Sequence, residues 1–516
     1  MTNNLARTGI IDIGSNSIRL AIYEATPEGA SRLVNENKES ARLSGKINRE
    51  GILEEQAILG IVPVLAQFRE ICEVYGCRTV RVAATAAIRN AANSVRIAER
   101  LKAETGLEIE ILTGEQEAYF GFIGVAAGME TKDGLIIDIG GGSTEITLFR
   151  DRQLQHSVSL PIGAVNAQLK YGGLEDSWGQ ADTARLQQEI ERLLSEHKWL
   201  AEHPGLALIG LGGTIRTLGK LDQRRRKYPV RLAHHYRLDA ESLSYYADLL
   251  PYLPLEKRKA LDGLPKSRAD IIVPGLILLQ TVFRHTGAAC CVVSGTGLRE
   301  GLLMDTLGIG VPEPTEVLAR QAYGLLAFHA GAPLSHFRQV SRFAERLSAV
   351  MEAGGPAPEK ASETGRLLFA SSMLYKIGGA IRYHQYDKHT SYWLLHAPLG
   401  ALSHREAVLC AAIVDCAAGG GKKGIDGELE RLLEEGDPER IRELGSLLEI
   451  AIALDASETQ CVEIEEARVQ DGALLLRLKC RSRAYLETSR LESAAKSFKK
   501  AWKLRLEWEL IPSSTC

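Results

Sequence analysis

The chain has 516 residues, 45% of them hydrophobic and 25% charged, with a formal net charge of −3. This is the composition of a globular protein of about three or four domains, and nothing global in it calls for nucleic acid or an anionic membrane. The nine cysteines are scattered with no paired CxxC frame, which argues against zinc and for reduced thiols in a cytoplasmic protein. The longest apolar stretch, 271–283, is too short to cross a bilayer and contains Pro274 and Gly275. The opening MTNNLARTG has no apolar run of the kind a signal peptide needs.

In chain order, strands are expected over 10–24, as a hairpin, and over 31–39. A helix over 52–75 should be interrupted by Pro63. Strand 78–84, helix 93–104 closed by Gly106, strand 107–112 and helix 115–127 follow. The order βββαβαβα then repeats. Strands fall at 135–139, 144–150 and 154–160, and a long helix at 182–200. Strand 206–211 runs into Gly212–Gly213 and a helix; 274–284 is helical; strand 290–294 runs into Gly295–Gly297 and a helix. Boundaries are expected near 128–134 and 307–314. Beyond them the chain reads as helical, at 315–330, 365–383, 403–417, 427–433 and 438–454, with a loop at 353–358. Strands 461–467 and 473–480 form a hairpin around Asp471 and Gly472, followed by helix 493–500 and strand 504–510.

The repeat is sharpest at IIDIGSNSIRLAIYE (10–24) and IIDIGGGSTEITLFR (136–150). Ile10, Ile11, Asp12, Ile13, Gly14 and Ser17 recur as Ile136, Ile137, Asp138, Ile139, Gly140 and Ser143. Glycine lets such a turn bring its backbone N–H groups close to an anion. An Asp closing a buried strand is costly unless it faces a cation or a catalytic water. Two such hairpins suggest one phosphate chain held between two related domains.

DIGSNSIRL and DIGGGSTE resemble the exopolyphosphatase / guanosine pentaphosphate phosphatase family of the actin–sugar kinase–Hsp70 superfamily. ATAAIRNAAN (84–93), LTGEQEA (112–118), GLGGTIRTL (210–218), VPGLILL (273–279) and SGTGLREGLL (294–303) extend the resemblance, in order, across the first three hundred residues. It implies an α/β fold: duplicated ribonuclease H-like (actin-like ATPase) domains at 1–128 and 129–307 with a cleft between them. An all-helical HD-like domain at 314–457 and a small α/β unit at 458–516 would follow. It also implies Mg²⁺-dependent hydrolysis of a terminal phosphoanhydride and a homodimer.

By that resemblance Glu117 is the general base, orienting and deprotonating the attacking water. A Glu in the first turn of a helix is otherwise an ordinary start residue; Glu115, its neighbour, is the less fitting base. Asp138 is expected to bind Mg²⁺, with Glu145 on the same hydrated ion; Asp12 would serve the first hairpin as Asp138 serves the second. Backbone N–H groups of Gly14, Ser15, Asn16, Gly140, Gly141, Gly142 and Ser143 would hold phosphate oxygens, although a Gly-rich turn alone is also just a tight hairpin. Arg89, and Arg19 behind it, would add bidentate charge. Gly213 and Thr214, and the 294–299 stretch, open helices whose N-termini favour anions. The family often has Ser at Ala86 and Arg at Asn166, so a hydroxyl contact and a channel charge are expected to be missing.

Three motifs read as decoys. GGGKKG (419–424) lacks the GK[ST] ending of a phosphate loop. RRRK (224–227) reads as a solvated basic stretch or one side of a polyanion path. His384, His389, His396 and His404 with Asp387 suggest metal ligation, but where a metal-binding HD doublet would stand the chain has LYKIG (374–378). The expected activity is exopolyphosphatase, with inorganic polyphosphate as substrate. The alternatives are pppGpp 5′-phosphohydrolase with the same site, a catalytically weak sensor, and an ATP-dependent kinase, against which the missing substrate-recruiting Asp argues.

Overall fold

The computed structural model describes residues 5–27, 29–172, 177–329, 333–352, 358–419, 427–481 and 483–512. Of the loop expected at 353–358 only residue 358 is described, and of GGGKKG only Gly419; the rest of both stretches lies outside the described residues. The chain divides into two compact units, Met1–Val317 and Leu318–Cys516.

The first unit opens with β1 (Ala6–Ile13), β2 (Ser17–Ala25) and β3 (Ser31–Ser40), joined as antiparallel neighbours. Then come α1 (Glu55–Val74), β4 (Thr79–Ala84), α2 (Ala86–Arg89), α3 (Ser94–Thr105), β5 (Ile109–Ile111) and α4 (Gly114–Gly128). β4 pairs parallel to β1, and the sheet order is β3-β2-β1-β4-β5. α1 runs unbroken through Pro63, contrary to the expected interruption. Pro63 stands on the exposed face while Ile61 and Leu65 bury theirs, so the missing hydrogen bond falls on the solvent side.

The second half of this unit repeats the plan. It holds β6 (Gly134–Ile139), β7 (Thr144–Arg150), β8 (Gln153–Leu160), α5 (Ala164–Tyr171), α6 (Gln180–Ser195), β9 (Ala207–Leu211) and α7 (Gly212–Arg225). After these come β10 (Arg237–Leu238), α8 (Ala240–Leu249), α9 (Leu255–Lys259), α10 (Ile272–Thr286), β11 (Cys290–Val293) and α11 (Leu298–Thr306). Its sheet order, β10-β11-β9-β6-β7-β8, is that of the first sheet plus a two-residue edge strand. The duplication read from two hairpins therefore extends to whole sheets.

Each sheet has its own apolar core, and a third core joins them through α4 and α11. These two helices meet backbone to backbone. A Cβ on Gly124 would lie 2.0 Å from Gly297 O, and one on Gly301 would lie 1.9 Å from Phe120 O. That contact matters because α4 carries Glu117 and α11 carries Arg299 in their first turns.

The second unit holds α12 (Pro314–His329, whose first residues belong to the first unit), α13 (Leu334–Glu352), α14 (Pro358–Leu374), α15 (Tyr386–His396), α16 (His404–Ala417) and α17 (Asp437–Ala453). β12 (Val462–Gln470), β13 (Ala473–Cys480), α18 (Tyr485–Trp502) and β14 (Arg505–Pro512) complete it, with β14 parallel to β13. The helix expected at 365–383 ends at Leu374, and Ile377–Ala380 is a separate 3₁₀ turn. The helix expected at 427–433 is only a 3₁₀ turn, Leu429–Leu432. Where the HD doublet would stand, buried Tyr375 hydrogen-bonds to His336 Nε2 at 2.5 Å, and His336 Nδ1 lies 2.8 Å from Asp455 Oδ2.

Candidate active site

β1 and β2 are joined by a turn in which Gly14 N–H donates to Ser17 O at 3.2 Å. Gly140 N–H donates to Ser143 O at 3.0 Å in the second copy. The two turns press against each other. A Cβ on Gly141 would lie 2.9 Å from Ser15 Cβ, and one on Gly142 would lie 2.8 Å from Ser15 Oγ. At Gly141 a side chain would force the other turn to shift, whereas at Gly142 it would crowd only the hydroxyl tips of Ser15 and Ser44. Asn166, where a channel charge is expected to be missing, braces the second turn. Its Nδ2 donates to Gly142 O at 2.8 Å and its Oδ1 accepts from Gly163 N–H at 2.7 Å.

Asp12 and Asp138 line one groove, together with the turn residues Gly14, Ser15, Asn16, Gly140, Gly141 and Ser143. Glu117 also faces it, in the first turn of α4, which is fixed by a capping box between Thr113 and Gln116. Gly213 and Thr214 also line the groove, at the start of α7. Arg89, Gly142 and Glu145 stand just behind this lining. Arg89 Nη1 donates to Glu117 Oε2 at 2.5 Å and to Leu112 O at 3.1 Å. Its Nη2 lies 3.6 Å from Glu145 Oε1, which also accepts from Ser159 Oγ at 2.7 Å. Glu145 is 3% exposed and the Glu117 side chain 11%, so Arg89 is held between a buried and a partly buried carboxylate.

The carboxylates crowd one another. Burial, then the charge of Glu145, pushes Asp138 up to about 7. The same two causes push Glu117 well above the ordinary carboxylate range, with Arg89 pulling the other way. Burial also raises Asp12, opposed by Arg19 and Arg299, and raises Glu145, opposed by hydrogen bonds from Ser143 and Ser159. Such pairs titrate together.

The rest of the groove is basic. Arg19, Arg216, Arg268 and Arg299 line it. Burial and mutual repulsion lower Arg216, and take Arg268 down to about 10. Lys38, opposite Arg19 on β3, is lowered by burial and by Arg19, Arg268 and Arg216. Arg299 is the neutralised member, bonded to Glu36 at 2.6 Å. At the rim Arg42 Nη1 meets Asp270 Oδ2 at 2.8 Å. The sequence reading assigned charge to Arg19 and Arg89 and passed over Arg216, Arg268 and Arg299. A signal was present: GGTIR (212–216) and GTGLR (295–299) share the pattern G-x-x-[IL]-R at a strand-to-helix corner. Arg268, in a 3₁₀ turn, belongs to no such pattern.

Arg225 and Arg226 of the RRRK stretch pair with fully buried Asp222 at 2.8 and 3.0 Å. His396 stacks on Tyr392, with ring centroids 4.3 Å apart. Among the described residues no three His, Cys, Asp or Glu side chains are grouped to hold a metal ion, and no helix is long and apolar enough to cross a membrane.

Two related α/β domains, with paired glycine turns, a carboxylate corner and an arginine wall around one groove, define a phosphate-handling protein of the actin-like ATPase fold. The chain belongs to the Ppx/GppA phosphatase family: the family model matches residues 21–309, and a model of Ppx/GppA phosphatase, domain III, matches 332–497. It is 27% identical over 314 residues to Exopolyphosphatase 1 of Mycobacterium tuberculosis, covering 58% of this chain and 88% of that one. It is 26% identical over 416 residues to the guanosine-5′-triphosphate,3′-diphosphate pyrophosphatase of Pseudoalteromonas translucida, covering 78% of this chain and 79% of that one. A bifunctional 3-dehydroquinate synthase/phosphatase of Fusobacterium nucleatum matches at 26% identity, and this chain spans only 47% of its length. Among solved structures, the Aquifex aeolicus family member aligns with a TM-score of 0.52 at 29% identity, covering 59% of this chain and 98% of that one. An exopolyphosphatase from Cytophaga hutchinsonii aligns at 0.55 and 26%, covering 59% and 99%.

Proposed function

We propose that this chain is an exopolyphosphatase that hydrolyses the terminal phosphoanhydride of inorganic polyphosphate and releases orthophosphate. The observation that carries the reading is the meeting of the two glycine turns on one groove, with Glu117 at its acidic corner and four arginines along its walls. A polyanion suits such a wall, because Arg216, Arg268 and Lys38 repel one another until an anion neutralises them.

In this reading the backbone N–H groups of both turns, except those of Gly14 and Gly140, which close the turns on Ser17 O and Ser143 O, hold the terminal phosphate. They point fixed dipoles at the oxygens where charge develops. Glu117 orients the attacking water and takes its proton. Its raised pKa makes it a stronger base than an ordinary carboxylate. Arg89 holds the Glu117 carboxylate in place and keeps that pKa from climbing further.

Mg²⁺ fits the donor set, since it takes one or two carboxylates and completes its shell with water and substrate oxygens. Asp138 would hold it, because a dication relieves the crowding by Glu145 and Asp12 that raises Asp138. Glu145, already engaged by Ser159 and Arg89, would support the ion from behind. When bound, Mg²⁺ would neutralise charge on the transferred phosphoryl group.

The test is orthophosphate release from long-chain polyphosphate and from pppGpp, by the wild type and by Glu117→Gln. Polyphosphate turnover by the wild type, lowered about 10²- to 10⁴-fold in the variant, is the expected result. Binding of both compounds with release from neither would sink the hydrolase reading and favour a sensor. A second reading, guanosine pentaphosphate phosphohydrolase, has one observation in its favour: the relative aligned over 78% of this chain carries that activity in its name. Release from pppGpp alone would select it.

A further inference from the structure

Helix α1 ends in a left-handed glycine, Gly76, with φ +65°. Gly76 N–H donates to Glu73 O and Cys77 N–H donates to Cys72 O, both at 2.9 Å. This pair of reversed bonds is the Schellman ending, and it brings the third residue from the helix end against the second residue beyond the cap. That contact is usually between two apolar side chains. Here it is between Cys72 and Cys77, and their thiol groups share a hydrogen bond.

The two thiols differ. Cys72 is 1% exposed, packed in the core of the first sheet, and its Sγ lies 2.6 Å from where a Cβ of Gly9 on β1 would be. Cys77 is half-buried and reaches solvent. Burial raises both thiols, but the bond from Cys72 S–H and the charge of Arg7 pull Cys77 back down. Arg7 is anchored there by donating to Tyr75 O at 3.0 Å.

We propose that Cys72 and Cys77 are a site of reversible oxidation, closing to an intramolecular disulfide within the helix ending when the protein meets a hydroperoxide. Cys77 thiolate attacks the peroxide oxygen, forming an S–O bond and breaking O–O, so that Cys77 becomes a sulfenic acid and an alcohol or water leaves. Cys72 sulfur then attacks Cys77 sulfur, the S–S bond forms, and the sulfenic oxygen departs as water with the Cys72 proton. Two thiols lose two electrons in all, and the peroxide gains them. The half-buried thiol that reaches solvent reacts first, and its buried neighbour resolves it.

The sequence supplies a direct readout. Arg69 and Arg78 flank the pair, so trypsin releases both cysteines in the single peptide 70–78. The full-length protein is treated with hydrogen peroxide, quenched in acid, denatured and alkylated with N-ethylmaleimide before digestion. The expected peptide takes no label and is lighter by about 2 Da than the reduced one, and dithiothreitol restores two labels. Cys72→Ser should stop at a dimedone-reactive sulfenic acid on Cys77, and Cys77→Ser should leave Cys72 fully alkylated. Retention of two labels on 70–78 while other cysteines oxidise overturns the proposal, as does a link from Cys77 to any other cysteine. The wild-type peptide decides the matter even if a variant fails to fold.

Discussion

The two hairpins that built this site differ where it matters most. Across the first sheet, Lys38, Arg19 and Asp12 stand in register on neighbouring strands. Across the second, the equivalent row is Ser159, Glu145 and Asp138. One copy therefore sets a carboxylate beside an arginine, and the other sets it beside a second carboxylate. Directly opposed like charges destabilise a sheet, and burial, followed by the charge of Glu145, pushes Asp138 up to about 7. In the first copy Arg19 and Arg299 oppose the rise of Asp12. Under the proposed function this is a division of labour after duplication: the first row would serve as a partly neutralised anion grip, and the second as an acidic centre whose cost the fold carries for chemistry.

The largest effects should come from the acidic row and the base beside it. Glu117→Gln and Glu145→Gln are each expected to lower kcat about 10²-fold or more with little change in KM, read by steady-state phosphate release. An equal loss from Arg19→Gln would erase the proposed division. The pH profile sharpens it further. Glu117 must be deprotonated to accept the water's proton, and its pKa is raised, so kcat/KM should fall as pH drops below that raised value. Arg89→Gln removes the cation that holds the value down and should move this limb to higher pH.

Thermal unfolding tests the cost of the second row. Asp138 has a folded-state pKa of about 7 against an ordinary 3.8. Between those values the folded state binds more protons than the unfolded one, so stability gained from this group grows as pH falls through that window. Above pH 7 the folded protein bears the full cost of the charge. Asp138→Asn should therefore raise Tm at pH 8 by more than at pH 5, while activity is lost. A lower Tm at pH 8 would show that the carboxylate is not crowded.

Much of this was legible in the chain. The duplicated hairpins, and the strand order of the first unit apart from its edge strand β10, followed from residue patterns. The arginine wall was not, because Arg216 and Arg299 carry no signal singly; only the recurrence of G-x-x-[IL]-R at two corners marks them. Arg268 reaches the groove through tertiary placement alone, beside Gly213, where a Cβ would lie 1.8 Å from its Nη2. The failure at Pro63 was one of facing: a proline on the exposed side of a helix need not break it. The helix α13 was readable and missed, since Phe337, Val340, Phe343, Ala344 and Leu347 recur at helical spacing and all are buried.

The first row should respond in binding instead of turnover. Arg19→Gln removes one cation from a wall that Arg216, Arg268 and Lys38 share, so KM should rise about tenfold, with kcat nearly unchanged. The rise should shrink as salt is added, because the wall acts through charge that ions screen. The smallest effect belongs to the rim. Arg42 and Asp270 are 51% and 28% exposed, and a pair so open to water is worth at most about 1 kcal/mol. Arg42→Ala should raise KM no more than about fivefold, the equivalent of that energy. Asp270→Ala frees Arg42 from its partner and adds a net positive charge to the groove mouth, so its KM should fall. Opposite signs from the two halves of one ion pair would mean that the rim contributes through its net charge; equal increases would mean that it contributes as a latch.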